Sequence, residues 1–84
     1  MIGRTALVVD PQGIHALLAH RLCQAADGFS SSIWIMSSGQ RCSLANPISL
    51  LALGIPAGTD VLVCADGIDE AEALEAVCAL LAGF

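Results

Sequence analysis

The sequence predicts an α+β fold, an antiparallel sheet with helices on one side, and three observations predict it. Short apolar, β-branched runs alternate with segments whose apolar residues recur at helical spacing, in the order β-α-β-β-α-β-α. Two of the strand runs are consecutive and joined by a Ser-Gly turn, which makes them a hairpin and therefore antiparallel. The chain has 84 residues, long enough for one hydrophobic core and not for two, so a single domain over residues 1–84 is expected.

Thr5-Ala6-Leu7-Val8-Val9 reads as the first strand, closed by Asp10-Pro11. The Pro11-Gln12-Gly13 turn then delivers His15 to the residue just before a helix. From Ala16 to Asp27 the residues Leu18, Ala19, Leu22, Cys23, Ala25 and Ala26 share a helical face, and Gly28 ends the segment. Ser31 to Met36 is a second strand, Ser37-Ser38-Gly39-Gln40 a hairpin turn, and Arg41 to Leu44 a short third strand. Asn46 then offers an N-cap and Pro47 fits the first helical position, so a two-turn helix is expected from Pro47 to Leu53, stopped by Gly54. Thr59 to Ala65 makes the fourth strand. After Asp66-Gly67, Asp69 with Glu72 three residues on has the spacing of a capping box, and Leu74, Val77, Cys78 and Leu81 line one face of the last helix. Glu70, Glu72 and Glu75 in its first turns complement the helix dipole, a structural role in preference to paired catalytic carboxylates.

Composition narrows the function. The net charge is -5, and Arg4, Arg21 and Arg41 are the only cations, which argues against a nucleic-acid partner or an anionic membrane surface. No apolar run reaches the ~20 residues of a membrane span. Met1-Ile2-Gly3-Arg4 lacks the apolar core of a signal peptide, so a cytoplasmic protein without membrane insertion is expected. Cys23, Cys42, Cys64 and Cys78 form no C-x-x-C pair, and His15 and His20 are not at i, i+4 spacing. Packed, reduced thiols are expected, with no metal site and no cofactor.

His15 is the residue with the most chemistry to offer. The first N–H groups of a helix lack partners inside it, and the dipole favours negative charge there. An unprotonated imidazole at that place can take a phosphoryl group on a ring nitrogen and release it. The alternative is a histidine that merely caps the helix. The neighbouring sequence bears on the choice: Pro11-Gln12-Gly13-Ile14-His15-Ala16, Leu53-Gly54-Ile55-Pro56-Ala57-Gly58-Thr59-Asp60-Val61 and Ala65-Asp66-Gly67-Ile68-Asp69-Glu70-Ala71-Glu72-Ala73 stand at separations that resemble those of the HPr phosphocarriers of the bacterial phosphotransferase system. The resemblance runs from Val9 to Ala82. It implies an open-faced sandwich with a four-stranded antiparallel sheet and three helices on one side. It also implies His15 as the phosphoryl acceptor through Nδ1, with the Ala16 and Leu17 amides at the phosphate, and a carrier between phosphotransferase-system donor and acceptor proteins that is not a turnover catalyst.

The departures from the family fall at its chemistry. Leu17 stands where the family has an arginine that interacts with the phosphoryl group, and Leu18 where it has a proline. A charge-assisted contact to phosphate is stronger than a neutral one, so its loss should weaken the phosphorylated state or slow transfer. Asn46 replaces the regulatory serine of the Gram-positive branch, so no regulatory phosphoserine is expected. Ala45 and Ser49 replace lysines, which removes positive charge from the surface that would meet acidic partners.

Two apolar surfaces are expected. Ala6, Val8, Ile33, Ile35, Val61 and Val63 should face the helices, so Leu7, Trp34, Met36, Leu62 and Cys64 should face the other way, where an open-faced fold is wet. Either Leu7, Trp34, Met36 and Leu62 form an interface with a second copy or another protein, or β-propensity alone selected them. The chain is 56% hydrophobic and 13% charged, against about 25% charged in an average domain, which fits a covered face. Around the His15 loop, Leu17, His20, Pro47, Ile48 and Leu51 would form an apolar docking patch for partner proteins. Two function classes therefore stand: a phosphocarrier acting through His15, or a binding or assembly module of the same fold that no longer transfers.

Overall fold

The computed structural model describes Met1 to Phe84. The elements are β1 (Ile2–Leu7), α1 (Ala16–Asp27), β2 (Ser32–Ser37), β3 (Gln40–Ser43), α2 (Pro47–Ala52), β4 (Asp60–Asp66) and α3 (Glu70–Leu81). The four strands form one antiparallel sheet in the order β1-β4-β2-β3. β1 and β2 are joined through α1 and leave a slot between them. β4 fills it, pairing from Ile2↔Ala65 to Leu7↔Asp60 on one side and from Ser32↔Asp66 to Met36↔Leu62 on the other.

One face of the sheet carries the core. Ile33, Ile35, Val61 and Val63 meet Leu18 and Leu22 of α1, Leu50 of α2 and Leu74, Val77 and Leu81 of α3 in one buried cluster. Each such side chain contributes about 1.5–3 kcal/mol by leaving water. The period-two reading of the strands thus gives the correct inward face, and the helices share that single face.

Boundaries shift where pairing, not composition, sets them. β1 runs from Ile2 to Leu7 instead of Thr5 to Val9, because β4 offers partners as far back as Ile2. Past Leu7 the chain leaves β4. Val8 N–H donates to the Thr59 carbonyl at 3.0 Å and Val9 N–H to the Leu81 carbonyl at 3.4 Å. β2, β3 and β4 differ from expectation by a residue at their ends, and α2 stops at Ala52 with Leu53 as its C-cap. Ser38 and Gly39 take positive φ of 51° and 77°, the geometry that a two-residue hairpin turn requires. Asn46 caps α2 as expected, its Oδ1 accepting from the N–H groups of Ile48 (3.0 Å) and Ser49 (3.3 Å).

Asp69 is a correction. It precedes α3 but does not cap it, and no capping box forms with Glu72. Its carboxylate instead accepts from the N–H groups of Ser30 (2.8 Å) and Ser31 (2.9 Å) and from the Ser31 hydroxyl (2.5 Å). These donors lie in the turn between α1 and β2, which Gly67 lets approach: a Cβ on Gly67 would sit 2.6 Å from the Ser31 Cα. Three donors from a turn that needs acceptors outcompete the helix end, and the acid becomes a clasp across the fold.

These hydrogen bonds hold the Asp69 carboxyl below its ordinary value of 3.8, the Ser31 hydroxyl being the largest cause. A lowered folded pKa gives stability that is present above the unfolded value and lost as pH falls through the folded one. Asp69→Ala should therefore lower Tm by on the order of 5–10 °C at neutral pH. The gap to the native chain should close as pH falls below about 3.8, and thermal melts across that range check it. A gap independent of pH would show that Asp69 acts through packing.

The open face is less exposed than its composition implies. Leu7, Met36 and Leu62 are accessible, but Trp34 is only 7% exposed and Cys64 only 4%. Trp34 pairs with Cys64 in the middle of the sheet, and the Arg41 guanidinium lies 4.2 Å from the centre of its ring. A cation over the face of an indole is attracted by the ring quadrupole, and its methylene stem covers apolar surface. Trp34 is therefore removed from the accessible apolar patch, which reduces to Leu7, Met36 and Leu62.

Candidate functional site

The segment from Val8 to His15 is built to hold one side chain still. Asp10 opens it with an Asx turn, Oδ1 accepting the Gln12 N–H at 2.9 Å, while the Gly13 N–H donates to the Asp10 carbonyl at 2.8 Å. Gly13 then takes φ +67°, and a Cβ there would overlap the Ile55 carbonyl oxygen and lie 2.9 Å from the Ala57 nitrogen. Only glycine fits that approach. The Ile14 N–H donates to the same Ile55 carbonyl at 3.0 Å, and Ile14 is buried. The Gly58 N–H closes the other side on the Val8 carbonyl at 2.8 Å. The loop before α1 is thus fastened to the 55–59 connection.

His15 is the N-cap of α1, in extended geometry, and its side chain makes no cap hydrogen bond. Its own N–H donates to the Gly13 carbonyl at 3.0 Å, and its carbonyl starts the helical ladder by accepting from Ala19 at 2.9 Å. The N–H groups of Ala16, Leu17 and Leu18 make no backbone hydrogen bond. They are the orphan donors of a helix start. The ring is 26% exposed, and its Nε2 lies 3.1 Å from Asp10 Oδ2. The Gln12 N–H first and the His15 contact second hold the Asp10 carboxyl below its ordinary value.

The structure has a partly exposed imidazole at a helix N-terminus, one nitrogen held by a carboxylate, and unpartnered amides next in sequence. A family model described as "PTS HPr component phosphorylation site" matches residues 2–83. The chain belongs to the HPr family. The HPr phosphocarrier protein of Neisseria meningitidis serogroup A is 29% identical over 84 residues, covering 100% of this chain and 94% of that protein. HPr-C-His from Thermoanaerobacter tengcongensis matches with a TM-score of 0.92 at 30% identity, over 98% of this chain and 92% of that one. An HPr dimer from the same organism matches with a TM-score of 0.76 at 30% identity, over 98% and 94%. The open-faced sandwich and the phosphocarrier identity read from the sequence agree with these matches; nothing in them favours a module that does not transfer.

Around the HPr loop the other expected residues have different settings. Leu17 is 57% exposed, and Ile48 and Leu51 are exposed on α2, which packs beside α1. His20 and Pro47 line one shallow groove between α1 and the start of α2. Ala16 is exposed, and Asn46 is engaged in capping. The four cysteines are unpaired, and burial pushes the thiols of Cys23, Cys42 and Cys78 up, away from the thiolate. No helix is long and apolar enough to cross a membrane.

Sequence reasoning passed over one member of this HPr site. Asp10 was legible only as a turn residue, and its second oxygen reaches His15 because the Gly13 turn folds the segment back on itself. An Asp five residues before the key histidine, across a turn, is the signal that was present.

Proposed function

We propose that this HPr-family protein carries a phosphoryl group on His15 between a phosphohistidine donor protein and an acceptor protein of a phosphotransferase system. The observation that carries the reading is the setting of the imidazole: half-buried at the N-cap of α1, held by Asp10 through Nε2, beside helix amides that have no other partner. Nδ1 is then the nucleophile, and the Ala16 and Leu17 N–H groups with the dipole of α1 hold the phosphate. The protein is a carrier over residues 1–84, acting in the cytoplasm, not a turnover catalyst. With Leu17 in the arginine's place and no cation beside it, the amides carry the charge of the phosphate with less help than in the family pattern.

Leu17, His20, Pro47, Ile48 and Leu51 serve as the docking surface for donor and acceptor, supported by the exposed apolar side chains of adjacent α1 and α2. The accessible part of the sheet face, Leu7, Met36 and Leu62, suits a second copy of the chain. A monomer by light scattering at micromolar concentration removes that part of the reading.

Incubation with phosphoenolpyruvate and a phosphotransferase donor enzyme should add one phosphate, lost in acid, to the native chain and none to His15→Ala, by intact mass. Labelling of His15→Ala to the native extent, or no labelling of the native chain by any donor enzyme that labels a control carrier, would overturn the proposal.

A further inference from the structure

We infer that Asp10 is the positioning residue of the nucleophile, keeping the proton on Nε2 of His15 so that the lone pair stays on Nδ1 through the whole transfer cycle. The inference rests on the carrier reading and adds a residue to it. The two oxygens of Asp10 have separate tasks: Oδ1 accepts the Gln12 N–H at 2.9 Å, and Oδ2 lies 3.1 Å from Nε2. An ionised carboxylate offers acceptors only, so the nitrogen that faces it carries a hydrogen. In a neutral ring the other nitrogen then has the lone pair. The ring is fixed in direction as well, because the carboxylate is tied to the turn that Gly13 locks against Ile55.

The chemistry follows with no proton to move. The Nδ1 lone pair attacks phosphorus on the donor's phosphohistidine; the new N–P bond forms as the old one breaks, and the electron pair of the old bond stays on the donor ring nitrogen. His15 now bears the phosphoryl group on Nδ1 and its hydrogen on Nε2, so the ring is formally cationic. The Asp10 carboxylate across the 3.1 Å contact balances that charge. In the second step a nitrogen or thiolate of the acceptor attacks phosphorus, the N–P electron pair returns to Nδ1, and a neutral imidazole is released. A neutral ring leaves more readily than an imidazolate, so the retained proton keeps the phosphoryl group transferable. Asp10 acts through the His15 ring and forms no bond to phosphorus.

Asp10→Asn and Asp10→Ala separate this role from a structural one. Asn keeps an oxygen for the Gln12 N–H and turns its NH2 toward Nε2. That nitrogen must then accept, and the ring proton moves to Nδ1, where it blocks the nucleophile. Ala abolishes the turn contact and leaves the ring free to exchange tautomers. Ring 15N spectra at alkaline pH should show the Nε2–H form in the native chain, the Nδ1–H form in Asp10→Asn and a mixture in Asp10→Ala. The initial rate of phosphorylation should fall by about tenfold or more in Asp10→Asn and by less in Asp10→Ala. A structural role gives the reverse order, because Asn preserves the turn. The same tautomer in Asp10→Asn as in the native chain, or slower labelling of Asp10→Ala than of Asp10→Asn, would overturn the inference. The spectra need no donor protein, so the expected tautomers in chains that never label count against the carrier reading and support the placement of the proton.

Discussion

Gly13→Ala should unfold the His15 loop and cost about 3 kcal/mol or more of stability. At φ +67° an L-residue already carries about 1–2 kcal/mol of strain, and here the added Cβ would overlap the Ile55 carbonyl oxygen that accepts the Ile14 N–H. Neither partner can yield cheaply, since both sides of the contact are backbone. Relief requires the loop to leave the 55–59 connection, which releases Ile14 from the core and dissolves the turn that holds Asp10 against His15. Tm should fall by on the order of 10 °C or more, and phosphorylation should slow in the same variant. A melt that coincides with that of the native chain would mean that the loop is not fastened where the geometry has it. Gly39→Ala makes a fitting control: its φ of +77° is as demanding, but nothing lies within 4 Å of the added Cβ, so only the smaller conformational cost is expected.

Leu17→Arg should lengthen the life of the phosphorylated form. In the proposed carrier the phosphate, a group of about two negative charges, would meet only amides and a helix dipole, with Asp10 on the far side of the ring. A guanidinium at residue 17 adds a charge-assisted hydrogen bond worth about 1.5–3 kcal/mol, or roughly ten- to a hundredfold in the hydrolytic half-life of the adduct. Leu17 is 57% exposed, so replacing it disturbs little packing. Leu17→Gln, a hydrogen-bonding side chain of middle length without the charge, should change the half-life far less. Equal half-lives in the native chain and Leu17→Arg, measured by loss of the phosphate from intact mass, would show that the phosphate does not reach that position.

Gly13 and Leu17 flank His15 from the loop and from the first turn of α1. Gly13→Ala tests where the imidazole is held, and Leu17→Arg tests how long the phosphoryl group would stay on it. With leucine there, the charge-assisted contact of the family pattern is missing while the Asp10–His15 contact is present. The missing contact at residue 17 favours release over storage. In this reading the protein passes its phosphoryl group on quickly and depends on prompt contact with the acceptor, for which the exposed Leu17, Ile48 and Leu51 supply apolar surface.

Much of this molecule was determined by residues close together in the chain. The Ser38-Gly39 turn, the Asn46-Pro47 start of α2, the inward side of each strand and the position of His15 before α1 follow from local backbone preferences and from periods of two and 3.6 residues, which act within a few positions. The tertiary structure decided the rest. Asp69 carries the sequence signs of a cap, yet it binds Ser30 and Ser31 from 39 and 38 residues away, because packing brings their unpartnered donors to it. Trp34 falls on the predicted face, yet Arg41 from the neighbouring strand covers it. Asp10 meets His15 only because Gly13 packs against Ile55, some forty positions on. Local pattern has no means of reporting such contacts: it states what each residue can offer, and only the folded chain states which partner arrives first.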